Sequence, residues 1–444
     1  MKNILILGSG LSSYVLIEFL HNQCKQNNWQ MTVCDINPNE AQKIIGNSEF
    51  AQTEVLDINK TEDLKKKISS ADIVISLLPA SYHLIPARIC LELGKNFATA
   101  SYVSDEMLKM NEQVKEKGLI FINEIGLDPG IDHMSAMIII NDLKNKGAQI
   151  NDFLSFTGGV IAPNSDNNPW NYKFTWNPRN VVVAGQGTAK FLENGQFKYR
   201  PYHNLFKHKY IFNIPNYGEF EGYPNRDSLK YRSIYGLDDV KTMIRGTLRR
   251  PGFIDSWNIF VQLGVTDDTY TIENSENMTY RQFINSFLPF HQTKTVEQKL
   301  ADFMGFDADD YKFYRLRWLG LFEDTKIGLK NATPAQILQK ILEQKLVFKP
   351  EDTDLIVMQH IFKYTLNNKN YCIKSSFAYE GKDKHHSAMA TTVGLPLAIA
   401  VKLILQGEIN IKGVVVPTIP EVYKPVMNEL KDYGINFLEQ NNEI

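Results

Sequence analysis

Asp128, Asp132 and His133 stand close together in NEIGLDPGIDHMSAM, Asn123 to Met137. Two carboxylates and an imidazole, separated by Pro129 and Gly130, are groups that bind an ammonium or move protons near neutral pH. An apolar run, Leu119 to Ile122, precedes the stretch and reads as a strand; an apolar helical segment, Met137 to Leu143, follows it. A simple strand-to-helix connection needs one turn residue and one cap. This density of polar residues at a strand's carboxyl end therefore marks a ligand crevice in an open α/β sheet. Asp128 is the favoured catalytic or orienting group, because Pro129 biases its backbone to extended geometry and lets its side chain face the crevice. Asp132 and His133 read better as support for the helix start. Ser101 and Tyr102 follow the fifth expected strand at the same crevice edge, as candidate substrate contacts, with a catalytic role for Tyr102 as well.

A second constellation is GSGLSS, Gly8 to Ser13. Glycines in the first strand–helix turn allow the tight bend and the close backbone approach that a pyrophosphate on a helix N-terminus demands. Ser13 stands where the third glycine of this fingerprint usually falls. Gly8, Ser9, Gly10, Leu11 and Ser12 are the cofactor-binding candidates here. Asp35 ends the second strand, where a carboxylate accepts hydrogen bonds from a ribose 2′-hydroxyl and repels a 2′-phosphate. The expected cofactor is a nicotinamide dinucleotide, with NAD preferred over NADP. Asp57 and Ile58 end the third strand near the adenine, and Leu77 and Leu78 end the fourth, where Pro79 follows and backbone contacts are expected.

The elements that must position these groups alternate over residues 1–125. Strands are expected at Asn3 to Leu7, Met31 to Cys34, Glu54 to Leu56, Ile73 to Leu77, Asn96 to Thr99 and Leu119 to Ile122, with helices between them. That rhythm is a parallel doubly wound (Rossmann) sheet. Thr61 and Ser104 read as N-caps. Strand-like runs then follow at Phe153 to Thr157, Asn180 to Ala184, Lys209 to Ile214 and Ile259 to Val265, with Gly158, Gly159, Gly185 and Gly187 as turns. Thr279 to Tyr364 reads as nearly all helical, with loops at Gly305 to Ala308 and Thr325 to Asn331. The remainder is a strand-like stretch, Lys369 to Tyr379, a long apolar helix and a last amphipathic one.

Length and charge narrow the class. A chain of 444 residues implies two or three domains. Its 43% hydrophobic and 22% charged residues are ordinary for a globular protein, and a net charge of −2 gives no reason to expect nucleic acid or an anionic membrane as partner. MKNILILGSG reads as a strand rather than a signal peptide, and no 18-residue uncharged apolar run suggests a transmembrane helix. Cys24, Cys34, Cys90 and Cys372 show no metal or disulfide spacing, which suits a reducing cytoplasm; no metal site is expected.

Further segments carry a family resemblance: SYVS at Ser101, GLDPGIDHM at Gly126, TWNPRNVVVAGQGTA at Thr175, YPNRDSL at Tyr223, GTLRRPGF at Gly246, DLIVMQH at Asp354 and AMATTVGLPLAIA with its following GVVVP. Together they resemble saccharopine dehydrogenase of the L-glutamate-forming type over almost the whole chain. The resemblance implies an N-terminal Rossmann domain (1–128), a mixed α/β substrate domain (129–270 and 366–444, its last helix packing on the first domain) and an inserted all-helical domain (271–365). It also implies a homodimer. The implied reaction is oxidation of a secondary amine, L-saccharopine, by hydride transfer to a nicotinamide, and hydrolysis to L-glutamate and 2-aminoadipate 6-semialdehyde, or the reverse condensation. Arg226 and Arg249 match the family's substrate-contacting arginines, whose planar guanidinium suits carboxylates. Thr247 and Leu248 match positions that contact substrate largely through backbone, and Asn177 and Pro178 lie in another substrate-side loop. Arg179 and Arg245 are weaker candidates. Many relatives carry a cysteine where this chain has Thr157, so a thiol cannot serve there. The alternatives are a related C–N oxidoreductase, such as a carboxynorspermidine dehydrogenase or homospermidine synthase, and a non-catalytic nucleotide-binding homologue.

Overall fold

The computed structural model describes residues 1–10, 12–184, 186–307 and 310–444, in two compact units. Leu11, Gly185 and Ala308 thus lie outside the described residues. The first unit comprises Met1–Ile150, Thr365–Lys369 and Tyr379–Leu438. It opens with strands β1 (Asn3–Leu7), β2 (Gln30–Asp35), β3 (Ala51–Val55), β4 (Ile73–Ser76), β5 (Asn96–Ala98) and β6 (Ile120–Ile122). Helices α1 (Tyr14–Asn27), α2 (Asn39–Ile45), α3 (Thr61–Ser69), α4 (Leu84–Leu93), α5 (Asp105–Lys109) and α6 (Asn111–Glu116) alternate with them, and α7 (Ile131–Asn145) follows β6. β4 and β6 are buried along their whole length, as strands covered on both faces by helices must be. Ser104 caps α5 by accepting the Met107 N–H at 3.1 Å. Thr61 is not a cap: Lys60 occupies that position without a side-chain bond, and Thr61 begins the helix itself.

The second unit comprises Asn151–Tyr364, Asn370–Ala378 and Glu439–Ile444. Its elements are β7 (Gln149–Ile161), α8 (Pro178–Val182), β8 (Ala189–Glu193), β9 (Gln196–Arg200), α9 (Tyr202–Leu205), β10 (Tyr210–Ile214), β11 (Gly218–Pro224), β12 (Thr242–Arg249), α10 (Phe253–Leu263), α11 (Tyr280–Asn285), α12 (Val296–Met304), α13 (Tyr311–Trp318), α14 (Pro334–Lys345), β13 (Asp354–Leu366) and β14 (Lys369–Glu380). β16 (Leu438–Glu443) completes a nine-stranded sheet of order β10-β11-β12-β7-β13-β14-β16, with β8 on β12 and β9 on β8. Helices α11, α12 and α14 each start with a reciprocal Thr–Gln capping box, at Thr279, Thr295 and Thr333. Their apolar faces share a core with Trp170, Trp257 and Phe260.

Three expected strands or helices are otherwise. Asn180 to Ala184 is helical over Pro178–Val182, because Pro178 presets the first turn and Asn177 caps it. Of the expected strand Ile259 to Val265, the part up to Leu263 belongs to α10, whose apolar run is buried and whose end is set by left-handed Gly264. Residues 354–364 are strand β13, not helix: a short apolar run buried in a sheet centre carries no period that separates it from a helix.

The chain re-enters the first unit through α15 (Ala388–Gln406), β15 (Gly413–Val415) and α16 (Pro420–Leu430). β15 pairs in parallel with β6, giving a seven-stranded sheet of order β15-β6-β5-β4-β1-β2-β3, one strand more than the six expected. The compact units therefore divide differently from the expected boundaries at 128/129 and 365/366. Residues 129–150 and 379–438 go with the nucleotide sheet, because α7, α15 and α16 bury their apolar faces together with α1. α15 is long and apolar enough to cross a membrane, yet 72% of that window is buried inside the protein, so it is a core helix of this unit. At Gly394 an added Cβ would meet Leu16 Cβ and the Ser12 carbonyl at 3.2 Å, so this glycine sets the close approach of α15 to α1.

Candidate active site

The candidate residues fall into two groups, one in each unit. In the first unit, Gly8 has a φ of +100° and its Cα faces the Leu77 backbone, where an added Cβ would sit 3.2 Å from carbonyl carbon and oxygen. The carboxyl ends of β1 and β4 converge there, and only glycine fits. At Gly10 an added Cβ would meet nothing within 4 Å among the described residues, so the space beside this position is open. Ser13, in place of the third glycine, is buried and donates its hydroxyl to the Gly10 carbonyl at 2.7 Å. Asp35 holds the loop from below: one carboxylate oxygen accepts the Ser9 N–H at 2.7 Å, the other the Asn37 N–H at 2.9 Å. Asp57 is committed to a local turn, accepting the backbone and side-chain N–H groups of Asn59 at 3.0 Å, while Ile58 and Leu78 pack against the core. A small-residue turn opening a helix, with a carboxylate at the next strand's end, fits a dinucleotide.

The Asp128 region lies in the same unit. Tyr102 donates its hydroxyl to Asp128 Oδ1 at 2.9 Å, joining the two favoured residues, both half-buried. Gly130 has a φ of +148°, and a Cβ there would lie 2.0 Å from the Gly126 carbonyl oxygen, so the turn after Asp128 admits no side chain. Asp132 accepts the Gly130 N–H at 2.7 Å, and His133 pairs with Glu124 Oε2 at 2.9 Å; both are buried beneath the turn. Glu124 is the keystone that sequence reasoning missed. Its N–H donates to the Ser101 carbonyl at 3.0 Å and its Oε1 accepts the Val103 N–H at 2.9 Å. Ser76 and His83 were missed too. The His83 ring bridges the Ser76 hydroxyl through Nδ1 and the Ser101 hydroxyl through Nε2, each at 2.8 Å. Burial lowers the His83 pKa to about 4, so the ring is neutral. A histidine just past the Leu77–Leu78 strand end was the available signal.

In the second unit, strand pairing sorts side chains by face. β12 pairs in parallel with β7 (Thr247 opposite Thr157, Gly246 opposite Phe156) and antiparallel with β11 (Glu221 opposite Arg249, Tyr223 opposite Thr247). With a period of two, Arg245, Thr247, Arg249, Thr157, Tyr223 and Glu221 share one face. The other face sends Leu248 and Phe156 into a core with Phe212 and Phe220. Leu248 therefore offers only its backbone, and its carbonyl accepts Arg249 Nη1 at 2.9 Å. Arg249 is buried, its guanidinium 5.4 Å from the Tyr172 ring centre and 5.5 Å from that of Phe253, and its Nε has no hydrogen-bond partner among the described residues. Glu221, opposite it in register, gives Oε1 to Lys209 at 2.5 Å instead, and its Oε2 is unpartnered. Thr157 Oγ1 is likewise buried and unpartnered. The Tyr172 hydroxyl has Trp176 as a polar neighbour but no well-formed hydrogen bond, and burial raises its pKa.

Arg226 is exposed in the loop after β11, with its carbonyl accepting the Lys190 N–H at 2.9 Å. Asn177 spends its side-chain oxygen on capping α8 at Arg179 N–H, 2.9 Å away. Arg179 pairs with Asp268, and the Arg245 guanidinium lies 4.5 Å over the Tyr231 ring. Backbone strain marks both groups. Of ten non-glycine residues with positive φ among the described residues, eight are asparagine, which tolerates that region; the other two are Glu124 and Arg226. No cluster of three metal-ligating side chains occurs among the described residues.

A parallel sheet with a glycine turn at its first strand and a carboxylate ending its second defines a Rossmann dinucleotide-binding protein. Residues 4–122 match the family model described as saccharopine dehydrogenase NADP binding domain, and residues 126–435 that of the saccharopine dehydrogenase C-terminal domain. The chain belongs to the saccharopine dehydrogenase family. It is 32% identical to saccharopine dehydrogenase [NADP(+), L-glutamate-forming] of Schizosaccharomyces pombe, over 99% of both chains. It is 34% identical to the mitochondrial alpha-aminoadipic semialdehyde synthase of Rattus norvegicus, of which it spans 48%, about half that relative's length. The solved apo saccharopine dehydrogenase (L-Glu forming) of Saccharomyces cerevisiae superposes with a TM-score of 0.90 at 30% identity, with both chains covered completely.

Proposed function

We propose that this chain oxidises L-saccharopine with a nicotinamide dinucleotide and water to L-glutamate, 2-aminoadipate 6-semialdehyde and the reduced dinucleotide, or runs the reverse condensation. The observation that carries this reading is Arg249: a buried cation with no carboxylate partner among the described residues, on a sheet face that also holds the unpartnered Thr157 Oγ1 and Glu221 Oε2. Leaving such a charge uncompensated costs several kcal/mol, which an anionic ligand recovers. Saccharopine carries three carboxylates, and Arg226 on the exposed loop suits a second of them. When bound, the nicotinamide supplies the hydride acceptor for the carbon beside the linking nitrogen. Asp128, oriented by the Tyr102 hydroxyl, is placed to hold a proton or an ammonium, and Ser101 to donate to an oxygen of the substrate. Thr157 excludes thiol chemistry at its position, since a threonine hydroxyl does not titrate in the useful range.

Asp35 supports NAD as the preferred cofactor, unlike the NADP(+) named for the yeast relatives, because a carboxylate at that strand end repels a 2′-phosphate. A homodimer in a reducing cytoplasm belongs to the same reading. The deciding experiment supplies saccharopine with NAD and, separately, NADP at alkaline pH and follows the reduced cofactor by absorbance. No turnover with either overturns the function, and NADP turning over as well as NAD overturns the preference. Carboxynorspermidine and homospermidine in the same assay test the alternative C–N oxidoreductases.

A further inference from the structure

Ser101 to Val103 is held by its surroundings at almost every polar group. The Ser101 N–H meets Thr99 Oγ1 at 3.3 Å, its carbonyl takes the Glu124 N–H, the Tyr102 hydroxyl goes to Asp128 and the Val103 N–H to Glu124. The Ser101 hydroxyl has one contact among the described residues, His83 Nε2 at 2.8 Å, and the residue is half-buried rather than closed off. What this hydroxyl offers a ligand depends on which imidazole nitrogen carries the proton.

Ser76 decides that. It is fully buried at the end of β4, and its hydroxyl makes no hydrogen bond among the described residues except that to His83 Nδ1. If Nδ1 carried the proton, it would donate to Ser76 Oγ and the Ser76 hydroxyl hydrogen would be left buried without an acceptor, a penalty of about 1–3 kcal/mol. With the proton on Nε2 both ends close: Ser76 O–H donates to Nδ1, and Nε2–H donates to Ser101 Oγ. The Ser101 hydrogen is then free to point outward. We propose that His83 is a positioning residue, its tautomer set by Ser76, that commits the Ser101 hydroxyl to donate a hydrogen bond to an anionic or carbonyl oxygen of the substrate. Burial keeps the ring neutral through the working pH range, so the chain does not reverse by titration. The identity of that substrate rests on the function proposed above; the direction of the chain does not.

Two measurements keep the proposals separable. Nitrogen-15 NMR of the histidine-labelled protein, with His83 assigned by comparison with His83→Gln, should find a neutral ring protonated on Nε2, and Ser76→Ala should move the unprotonated Nδ1 resonance downfield as its hydrogen-bond donor is lost. A wild-type ring protonated on Nδ1 overturns the inference whatever the substrate proves to be. In saccharopine kinetics, Ser101→Ala and His83→Leu should each raise KM about tenfold while the KM for the dinucleotide stays within twofold. The double variant should be no worse than Ser101→Ala alone, and His83→Gln, whose amide can replace the Nε2 donor, should recover most of the loss. Multiplying losses in the double variant, or His83→Gln no better than His83→Leu, overturn it. Absence of wild-type turnover with the NMR result intact would instead remove the substrate assignment.

Discussion

The two candidate regions satisfy their polar groups in opposite ways. Around Ser101 and Asp128, every named donor and acceptor has a protein partner at 2.7–3.3 Å, and a strained Glu124 holds three of them together. On the sheet face shared by β12, β7 and β11, Arg249 Nε, Thr157 Oγ1 and Glu221 Oε2 are buried with none among the described residues. A native protein leaves few such atoms unmatched, and three on one sheet face need an explanation. Apart from the outward Ser101 hydrogen, the first region is satisfied before any ligand arrives and acts by orientation; the second is completed only by what binds to it. Removing groups from the two should therefore have different consequences for stability.

The largest effect falls on Arg249. Arg249→Lys keeps the charge but loses the planar fork, and kcat/KM for saccharopine should fall about 100-fold, equivalent to about 3 kcal/mol. Arg249→Met should abolish turnover while leaving the melting temperature unchanged or higher, because it removes an uncompensated buried cation. A loss of several degrees in Arg249→Met would break the comparison by making Arg249 an ordinary structural residue. Chemical denaturation and steady-state kinetics on the same preparations decide it.

The finished region should instead show its cost in pH. His83 titrates near 4 in the folded protein and near 6.5 once exposed. As pH falls from 6.5 towards 4 the unfolded chain takes up a proton that the folded protein refuses, so stability is lost over that window and fully present above it. The gap corresponds to about 3 kcal/mol at most. His83→Gln should flatten the urea-midpoint profile between those pH values, although buried His21, also lowered, keeps part of the slope. An unchanged profile would show that the ring is not held neutral.

How far these regions could be read from the chain follows from the kind of signal each one carries. The parallel sheet was legible because β1 to β6 are local apolar runs with helices at regular intervals. β15 was not, since Gly413–Val415 joins β6 from nearly 300 residues away and nothing local in GVV says so. Asp128 was legible through Pro129 and the surrounding polar density, and its partner Tyr102 through a strand end. Glu124, His83 and Ser76 were not: His83 and Ser76 look like isolated polar residues in apolar stretches, Glu124 is one polar residue among several, and the role of each exists only once three strand ends meet. Thr157 and Arg249 were visible as family positions, but their lack of partners is a property of packing.

A smaller, tenfold effect sharpens the middle of the comparison. Asp128→Asn keeps an acceptor for the Tyr102 hydroxyl and the shape of the turn, so the protein should fold normally. Turnover should fall at least tenfold, about 1.4 kcal/mol, if the carboxylate's charge holds the substrate ammonium or a proton. Wild-type rates in this variant would remove Asp128 from the chemistry and leave Tyr102 as the acting group.

The smallest effect tests the unmatched face where no catalytic duty is assigned. Thr157→Val exchanges a buried, unpartnered hydroxyl for a methyl of the same shape, on a strand where β-branching is favoured. Without ligand the variant should be unchanged or more stable by up to about 1 kcal/mol, since no hydrogen bond is lost and a desolvated oxygen is removed. With saccharopine present the sign should reverse: if the hydroxyl is reserved for the ligand, substrate should raise the melting temperature of wild type more than that of Thr157→Val. Equal ligand-induced shifts would mean that Thr157 Oγ1 stays unmatched even in the complex, leaving Arg249 and Glu221 to carry the contrast with the finished region alone.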